Sequence, residues 1–184
     1  MTRALHYGRS GTRDKMNPYG THLKYLESYI KTFKPLSVFE FGCGENSTPL
    51  FIEKCQSVIS VEMQKPDWFL KIWEAFNGQS NFTLYCMPGG MGAPDYLQKC
   101  GGRFDMIFCD GHMASRWLQI TEAAKKTNVI FTHDTDQPCY KWEQAKLSYG
   151  WKWFDFREVK PWTSVISNKQ SVQDWARLMG GVLR

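Results

Sequence analysis

The amino-acid sequence predicts an α/β fold built on a mostly parallel sheet. Short apolar runs rich in β-branched and aromatic residues alternate with segments of helical spacing, which is the pattern of strands covered by helices. Five such runs are 38–42, 58–63, 81–87, 104–110 and 129–134. Strands that are buried on both faces have continuous apolar runs of this kind. Helices are therefore expected on both faces of the sheet.

Further elements precede and follow these five runs. They are a helix over 21–33, a helix over 138–149 and a terminal hairpin of two strands, 151–159 and 163–167. Thr21 is the expected N-cap of the first helix and Pro35 ends it, because proline cannot continue a helix. The turn Lys160-Pro161-Trp162 separates the two hairpin strands.

One domain and a basic arm are expected. A chain of 184 residues that is 42% hydrophobic can bury one sizeable core. The net charge of +5 lies within residues 1–34, which hold seven basic and two acidic residues. We therefore divide the chain into an arm over 1–20 and a domain over 21–184. The arm is suited to an anionic acceptor or to nucleic acid, and a merely solvated arm is the alternative.

Hydropathy and cysteine usage indicate a cytoplasmic protein without a membrane partner. No run approaches the roughly 18 apolar residues of a membrane span, and residues 1–15 lack the apolar core of a signal peptide. The six cysteines are scattered without paired short spacings. They are predicted to be reduced packing residues and not disulfides or zinc ligands.

The first strand ends in a glycine loop that is typical of nucleotide-type ligands. Gly42 and Gly44 permit a tight turn and let a ligand approach the bare main chain. The following helix, with Ser47 or Thr48 as its predicted cap, offers free N–H groups. Glu62 ends the second strand twenty residues after Gly42, where a carboxylate binds two ribose hydroxyls.

Charge favours S-adenosylmethionine over a dinucleotide as the ligand of this loop. The third glycine of the dinucleotide fingerprint is replaced by Ser47, and Glu40 and Glu45 would repel a pyrophosphate. S-adenosylmethionine carries an ammonium, a sulfonium and one carboxylate, and backbone N–H groups, Thr21 or His22 could bind that carboxylate. The predicted cofactor-binding residues are Thr21, His22, Glu40, Gly42, Gly44, Ser47, Glu62 and Asp110.

From about residue 21 to 167 the sequence resembles the class I S-adenosylmethionine-dependent methyltransferases. The resemblance lies in Phe39-Glu40-Phe41-Gly42-Cys43-Gly44, Val61-Glu62, 104–112, Phe131-Thr132-His133-Asp134-Thr135 and the closing hairpin. It implies a Rossmann-like seven-stranded sheet, mostly parallel with an antiparallel last strand, and a cofactor over the carboxyl ends of the first strands. It also implies methyl transfer.

The Asp-Gly-His and His-Asp-Thr motifs look most like those of small O-methyltransferases that act on natural products or sugars. Two positions depart from that group. Its histidine usually lies one position later than His112, and its Pro-Gly-Gly turn is replaced by Lys126-Thr127-Asn128. The resemblance implies a small-molecule acceptor, methylated on oxygen.

Asp110 and Asp134 end the fourth and fifth predicted strands and should meet in the cofactor crevice. Methyl transfer to a hydroxyl requires an aligned nucleophile that loses a proton. The two carboxylates, with Thr135 or Asp136, could bind Mg²⁺ or another divalent cation that lowers the pKa of the hydroxyl.

A histidine base is the alternative to the metal. His112 or His133 could accept the acceptor's proton near neutral pH, so the predicted catalytic residues are Asp110, His112 and His133. Structural roles stay open as well. Asp110 could cap a helix near Met113, and His133 could be a buried histidine bonded to the backbone.

Other functions remain as alternatives. The motifs of DNA amino methylation, cytosine C5 methylation and RNA ribose methylation are absent or incomplete, although Lys24, Asp110 and Glu158 match three places of the last. An RNA or nucleotide methyltransferase, or a noncatalytic nucleic-acid-binding module, would need the basic arm for binding. Trp162, in the hairpin turn, is a candidate for stacking on a sugar or a base.

Overall fold

The computed structural model describes residues 20–64, 66–87 and 92–184. The helices among them are α1 (Leu23–Phe33), α2 (Ser47–Lys54), α3 (Pro66–Phe76), α4 (Gly92–Lys99), α5 (Arg116–Lys126) and α6 (Gln170–Leu178). The strands among them are β1 (Ser37–Phe41), β2 (Ser57–Glu62), β3 (Phe82–Cys86), β4 (Met106–Cys109), β5 (Val129–His133), β6 (Lys152–Phe156), β7 (Thr163–Ser167) and β8 (Val182–Leu183).

These strands form one sheet in the order β3-β2-β1-β4-β5-β7-β6-β8. β1 to β5 are all parallel to one another, whereas β7 is antiparallel to both β5 and β6. The predicted α/β class and the seven strands with an antiparallel last member are confirmed. β8 was not predicted. It adds a two-residue edge strand beside β6.

Two apolar layers cover the sheet. On one face α1, α2 and α6 contribute Leu26, Phe51 and Trp175 to a core with inward residues of β1, β4 and β5. On the other face α4 and α5 contribute Leu97 and Ile120. The strand residues alternate between the two cores because successive side chains point to opposite faces. Both faces are buried, which explains the continuous apolar runs of the central strands.

The order in which strands are added to the sheet reverses at β1, although β1 and β4 are parallel. β1 is followed by its neighbour β2 on one side, and β4 pairs with β1 on the other side. A crevice opens at such a point outside the carboxyl ends of parallel strands. Phe41 pairs with Cys109 there, so Gly42 and Asp110 follow directly at the same edge of the sheet.

Two local predictions were wrong. The segment 138–149 forms two short 3₁₀ turns, Pro138–Tyr140 and Trp142–Gln144, and not a helix. Lys141 between them has a φ of 54°, a left-handed conformation that a continuous helix cannot contain. Thr21 is also not the N-cap of α1, because His22 occupies that position without a side-chain cap hydrogen bond.

Among the described residues, no helix is long and apolar enough to cross a membrane. Residues 1–19, which are nearly all of the predicted basic arm, lie outside the described residues. The domain boundaries therefore stay a prediction.

Candidate active site

A cavity of about 600 Å³ lies at the carboxyl ends of the central strands. Its lining contains most of the predicted site residues, from the glycine loop, the end of β2 and the ends of β4 and β5. These are His22, Gly42, Gly44, Ser47, Glu62, Asp110, His133 and Asp134. Thr21, Glu40 and His112 are not part of this lining and lie behind or beside it.

Gly42 brings the loops after β1 and β4 into contact. It has a φ of 84°, and a Cβ atom at this position would lie 2.5 Å from the Asp110 carbonyl oxygen. Only glycine meets both demands. The Gly42 N–H donates to the Val61 carbonyl at 2.8 Å, which fixes the loop beside β2. The backbone therefore forms one wall of the cavity.

Glu40 lies under the loop. Its carboxyl group is fully buried and accepts hydrogen bonds from the hydroxyls of Ser47, Thr48 and Ser60 at 2.5–2.7 Å. Ser47 and Thr48 thus bond to Glu40 and do not cap α2, whose N-cap is Asn46 without a side-chain cap hydrogen bond. Burial raises the pKa of Glu40 to about 7, although the three hydroxyls lower it. Glu40 therefore supports the loop from below, and its predicted contact with the cofactor stays a prediction.

Glu62 and Trp68 form the opposite wall. The Glu62 side chain is 4% exposed and accepts from the Gln64 N–H at 2.8 Å. The Trp68 indole N–H donates to the Cys43 carbonyl at 2.6 Å, and both residues line the cavity. The Glu62 carboxylate is therefore held at the end of β2, the position predicted for binding ribose hydroxyls.

Arg116 joins the ends of β4 and β5 beneath the cavity. Its buried guanidinium donates to the carbonyls of Cys109, Gly111 and His133 at 2.7–3.1 Å. Arg116 Nη2 also lies 3.4 Å from Asp110 Oδ1. Burial opposes ionisation of Asp110, but the hydrogen bond from His133 and the charges of His133 and Arg116 outweigh it and lower the Asp110 pKa. Asp110 is thus a carboxylate and does not cap a helix.

His133 lies between the two predicted carboxylates. Its Nδ1 is 3.6 Å from Asp110 Oδ2 and 3.5 Å from Asp134 Oδ1. Burial lowers the His133 pKa, but the hydrogen bond and charge of Asp110 and the charge of Asp134 outweigh burial and raise it. Asp134 itself has a φ of 60°, which is strained for a non-glycine residue. Its Oδ2 accepts from the Tyr140 hydroxyl at 2.9 Å.

Thr21 fixes the orientation of the His133 ring. Its hydroxyl donates to the Pro161 carbonyl and lies 2.8 Å from His133 Nε2. A hydroxyl has one proton, and a carbonyl can only accept it. His133 Nε2 must therefore donate to Thr21, which leaves Nδ1 facing the carboxylates. The sequence-based role of Thr21 as a direct cofactor ligand stays a prediction.

His22 lies beside His133 with no hydrogen-bond partner among the described residues. It is 2% exposed, and neither ring nitrogen is bonded. The centroids of the two imidazoles are 4.6 Å apart. Burial and the neighbouring charge of His133 lower the His22 pKa to about 3, although Asp110 raises it. His22 is therefore a neutral imidazole at the floor of the cavity.

Three further residues named from the sequence lie away from this centre. The His112 Nδ1 accepts from the Ala114 N–H at 3.2 Å, the Thr135 hydroxyl bonds to Ser164, and Asp136 accepts from the Trp162 N–H. Trp162 lines a second cavity, of about 480 Å³, together with Trp142 and Trp153. The catalytic role of His112 stays a prediction that no contact here supports.

Sequence reasoning missed Arg116, although a signal was present. Arg116 is the first residue of α5, where the helix dipole disfavours a cation. An arginine at the start of a helix that follows a strand ending in aspartate indicates an anionic partner. Trp68 left no comparable signal, because a tryptophan in an amphipathic helix most often packs in the core.

The sequence matches no model of a known protein family and no curated protein, whereas solved structures match it over most of its length. The O-methyltransferase from Bacillus cereus in complex with SAH gives a TM-score of 0.63 at 16% identity, covering 85% of this chain and 84% of that one. TomG from Streptomyces achromogenes, an O-methyltransferase involved in tomaymycin synthesis and solved with SAM, gives 0.61 at 14% identity, with coverages of 84% and 81%. The N-methyltransferase NodS from Bradyrhizobium japonicum gives 0.53 at 13% identity, with coverages of 81% and 94%. At these identities the likeness concerns the fold, and the chain has the fold of the class I S-adenosylmethionine-dependent methyltransferases.

Proposed function

We propose that this protein transfers the methyl group of S-adenosylmethionine to a hydroxyl of a small molecule. The observation that carries the proposal is the single cavity in which the glycine loop, Glu62 and Asp110 meet. This is the crevice where ligands bind in open parallel sheets. Solved structures of the same fold include O-methyltransferases with SAM or SAH.

The acidic lining of the cavity is suited to a cationic ligand. Glu45, Glu62, Asp110 and Asp134 contribute carboxylates to its lining, and their summed charge favours a ligand with a sulfonium and an ammonium. The same carboxylates would repel a pyrophosphate. Glu62 would bind the two ribose hydroxyls, and the Gly42–Gly44 backbone would contact the ligand without intervening side chains.

Acceptor activation is proposed at Asp110, His133 and Asp134. When bound, S-adenosylmethionine supplies a methyl group that is already activated by the sulfonium. The protein then has to align the acceptor oxygen and accommodate its proton. The raised pKa of His133 extends the pH range over which its imidazole is protonated, and a protonated imidazole cannot accept another proton. The predicted divalent cation and the predicted histidine base both remain candidates for this step.

Calorimetric binding of S-adenosylmethionine and its demethylated product tests the proposal. We expect micromolar-range affinity, and Glu62→Ala should weaken it by about 2 kcal/mol, roughly 30-fold, because buried ribose hydroxyls lose a charged partner. Glu53→Ala is the matched control, since Glu53 lies on α2 and pairs only with the exposed Lys54 among the described residues. Unchanged affinity in folded Glu62→Ala protein would refute the assignment of the cofactor site.

Turnover is tested with cofactor labelled in its methyl group. The purified protein and an extract of its source are expected to give a labelled small molecule, which mass spectrometry identifies. A label found in RNA or DNA instead would support the nucleic-acid alternative, which depends on the arm over residues 1–20. A label on nitrogen would contradict O-methylation, and NodS shows that the fold also supports N-methylation.

A further inference from the structure

Three potential metal ligands converge at the floor of the cavity. His22, Asp110 and His133 each offer a ligand atom within 4.8 Å of the other two. The separation of His133 Nδ1 and Asp110 Oδ2, 3.6 Å, is already that of two ligands of one ion. Zinc-type ions bind nitrogen and oxygen at about 2.0–2.2 Å, so small side-chain rotations would bring the third atom into range.

The His133 ring is oriented to present a lone pair. Because the Thr21 hydroxyl donates to the Pro161 carbonyl, His133 Nε2 donates to Thr21, and the neutral ring has its lone pair on Nδ1. That lone pair would face the carboxylate oxygens of Asp110 and Asp134. With the ring neutral, three electron-rich atoms would face one another, and either a proton on His133 Nδ1 or a metal ion between them would remove the repulsion.

His22 favours a metal ion over a proton as the cation between these residues. A proton on His133 Nδ1 would neutralise the repulsion from the carboxylates, but it would leave both nitrogens of His22 without a partner among residues 20–64, 66–87 and 92–184. A buried polar group without a partner destabilises the fold. A metal ion between the three residues would bind the His22 lone pair and the other two ligands together.

We propose that His22, His133 through Nδ1 and Asp110 bind one divalent transition-metal ion, with Asp134 beside it. Two imidazoles and one carboxylate favour Zn²⁺, Co²⁺ or Fe²⁺ over Mg²⁺, which prefers oxygen ligands. The ligand set therefore differs from the magnesium site of Asp110 and Asp134 that the sequence predicts. The ion would lie in the cavity, where it could bind and acidify an acceptor hydroxyl.

Neighbouring residues are arranged as supports of such ligands. Thr21 accepts from the second nitrogen of His133, as partners of metal-bound histidines do. Arg116 contacts Asp110 Oδ1 and leaves Oδ2 toward His133. The ion site requires neither cofactor nor acceptor, so its test is independent of the proposed methyl transfer.

The experiment uses the full-length chain, freed of metal with a chelator and then titrated with Co²⁺, Zn²⁺ or Mg²⁺ alone. Co²⁺ and Zn²⁺ should bind as one ion per chain, and Mg²⁺ should not displace them. The Co²⁺ spectrum should lack thiolate charge-transfer bands, which separates this site from the cysteines. His22→Gln should weaken Co²⁺ binding more than about tenfold, and the isosteric Thr21→Val by roughly tenfold. His112→Gln, a histidine outside the cluster, is the matched control and should leave Co²⁺ affinity unchanged.

A measurement on the wild-type chain keeps the proposal testable if a variant fails to fold. With ¹⁵N-labelled histidine, Zn²⁺ should shift the resonances of two of the four imidazoles, those of His22 and His133. Equal Co²⁺ affinity in His22→Gln and His112→Gln, or Mg²⁺ binding as tight as that of Co²⁺, would overturn the proposal. Cofactor calorimetry without metal reports separately on the proposed function.

Discussion

Glu40 has a structural role beneath the glycine loop that the sequence did not predict. Sequence reasoning placed its carboxylate beside a cationic ligand, because it lies two residues before Gly42. In the fold its side chain points under the loop and bonds to Ser47, Thr48 and Ser60. The three hydroxyls come from α2 and β2, so one buried acid connects the loop to both neighbours of β1. Its predicted contact with the cofactor stays a prediction.

The raised pKa of Glu40 predicts a pH-dependent stability. Burial raises the Glu40 pKa from an ordinary value of 4.5 to about 7 in the folded protein, so the folded state retains a proton that the unfolded state loses. The stabilisation is present below pH 4.5 and is lost as pH rises to about 7, by roughly 3 kcal/mol. Urea unfolding of wild type and Glu40→Gln at several pH values measures this difference.

Other ionisable groups affect both proteins equally, so only the difference between wild type and Glu40→Gln is interpreted. Glu53→Gln, at an exposed site of α2, is the control and should follow wild type across the window. Parallel curves for wild type and Glu40→Gln would show that Glu40 ionises normally in the fold.

The elements that matter most are the ends of β1, β4 and β5. Their carboxyl ends lie side by side because the strands are parallel and adjacent. Arg116, at the start of α5, bonds to carbonyls at the ends of both β4 and β5. Gly42 lets the end of β1 approach the end of β4. The three strand ends are thus fixed relative to one another by one side chain and one glycine.

Gly42→Ala is expected to separate the ends of β1 and β4. The substitution introduces a side chain at a positive φ, which costs about 1–2 kcal/mol, and a clash with the Asp110 carbonyl that should cost roughly 1–3 kcal/mol more. Gly150→Ala is the matched control, because Gly150 has a φ of 94° and nothing within 4 Å of its added Cβ.

Denaturant unfolding and cofactor calorimetry of both variants distinguish backbone strain at a positive φ from a clash with the Asp110 carbonyl. Gly150→Ala should lose only the about 1–2 kcal/mol that a side chain at a positive φ costs, and it should retain its cofactor affinity. Gly42→Ala should lose more stability and much of its cofactor affinity. Equal losses in the two variants would contradict the proposed contact of the two loops.

For the molecule as a whole, the crevice position follows from topology. β2 and β3 lie on one side of β1, whereas β4 and β5 lie on the other. The cavity lies between β1 and β4, where the strand order changes side. Around it, the N-cap of α1, the loops after β1 and β4, the ends of β2 and β5 and a residue of α3 contribute to the lining. The excess positive charge belongs to residues 1–34, of which 1–19 are outside the described residues.

Removal of Met1–Lys15 tests the basic arm. If Arg3, Arg9, Arg13 and Lys15 recognise an anionic acceptor, truncation should leave cofactor affinity unchanged and raise the acceptor KM in a salt-sensitive way. Steady-state kinetics at two ionic strengths measure this. A variant with the four basic residues changed to glutamine separates charge from length, and unchanged acceptor kinetics in both variants would identify the arm as a solvated tail.

Local signals predicted much of this protein. Apolar runs located the central strands, because strands buried on both faces are apolar along their whole length, and the spacing of Gly42 and Glu62 located two walls of the cavity. Prediction failed where a distant partner decides the outcome. Thr21 bonds to His133 instead of capping α1, and Lys141 adopts a left-handed conformation that interrupts a helical pattern.

By itself the sequence determined the fold class, the order of the central strands and helices and the residue types available at the strand ends, since these depend on local periodicity and turn chemistry. Only the tertiary structure decided which of those residues meet. His22 precedes α1 and His133 ends β5, yet their rings are in contact, and His133 Nδ1 lies between Asp110 and Asp134. The physical reason is that contacts between residues far apart in the chain depend on strand order and helix packing, which no local pattern encodes.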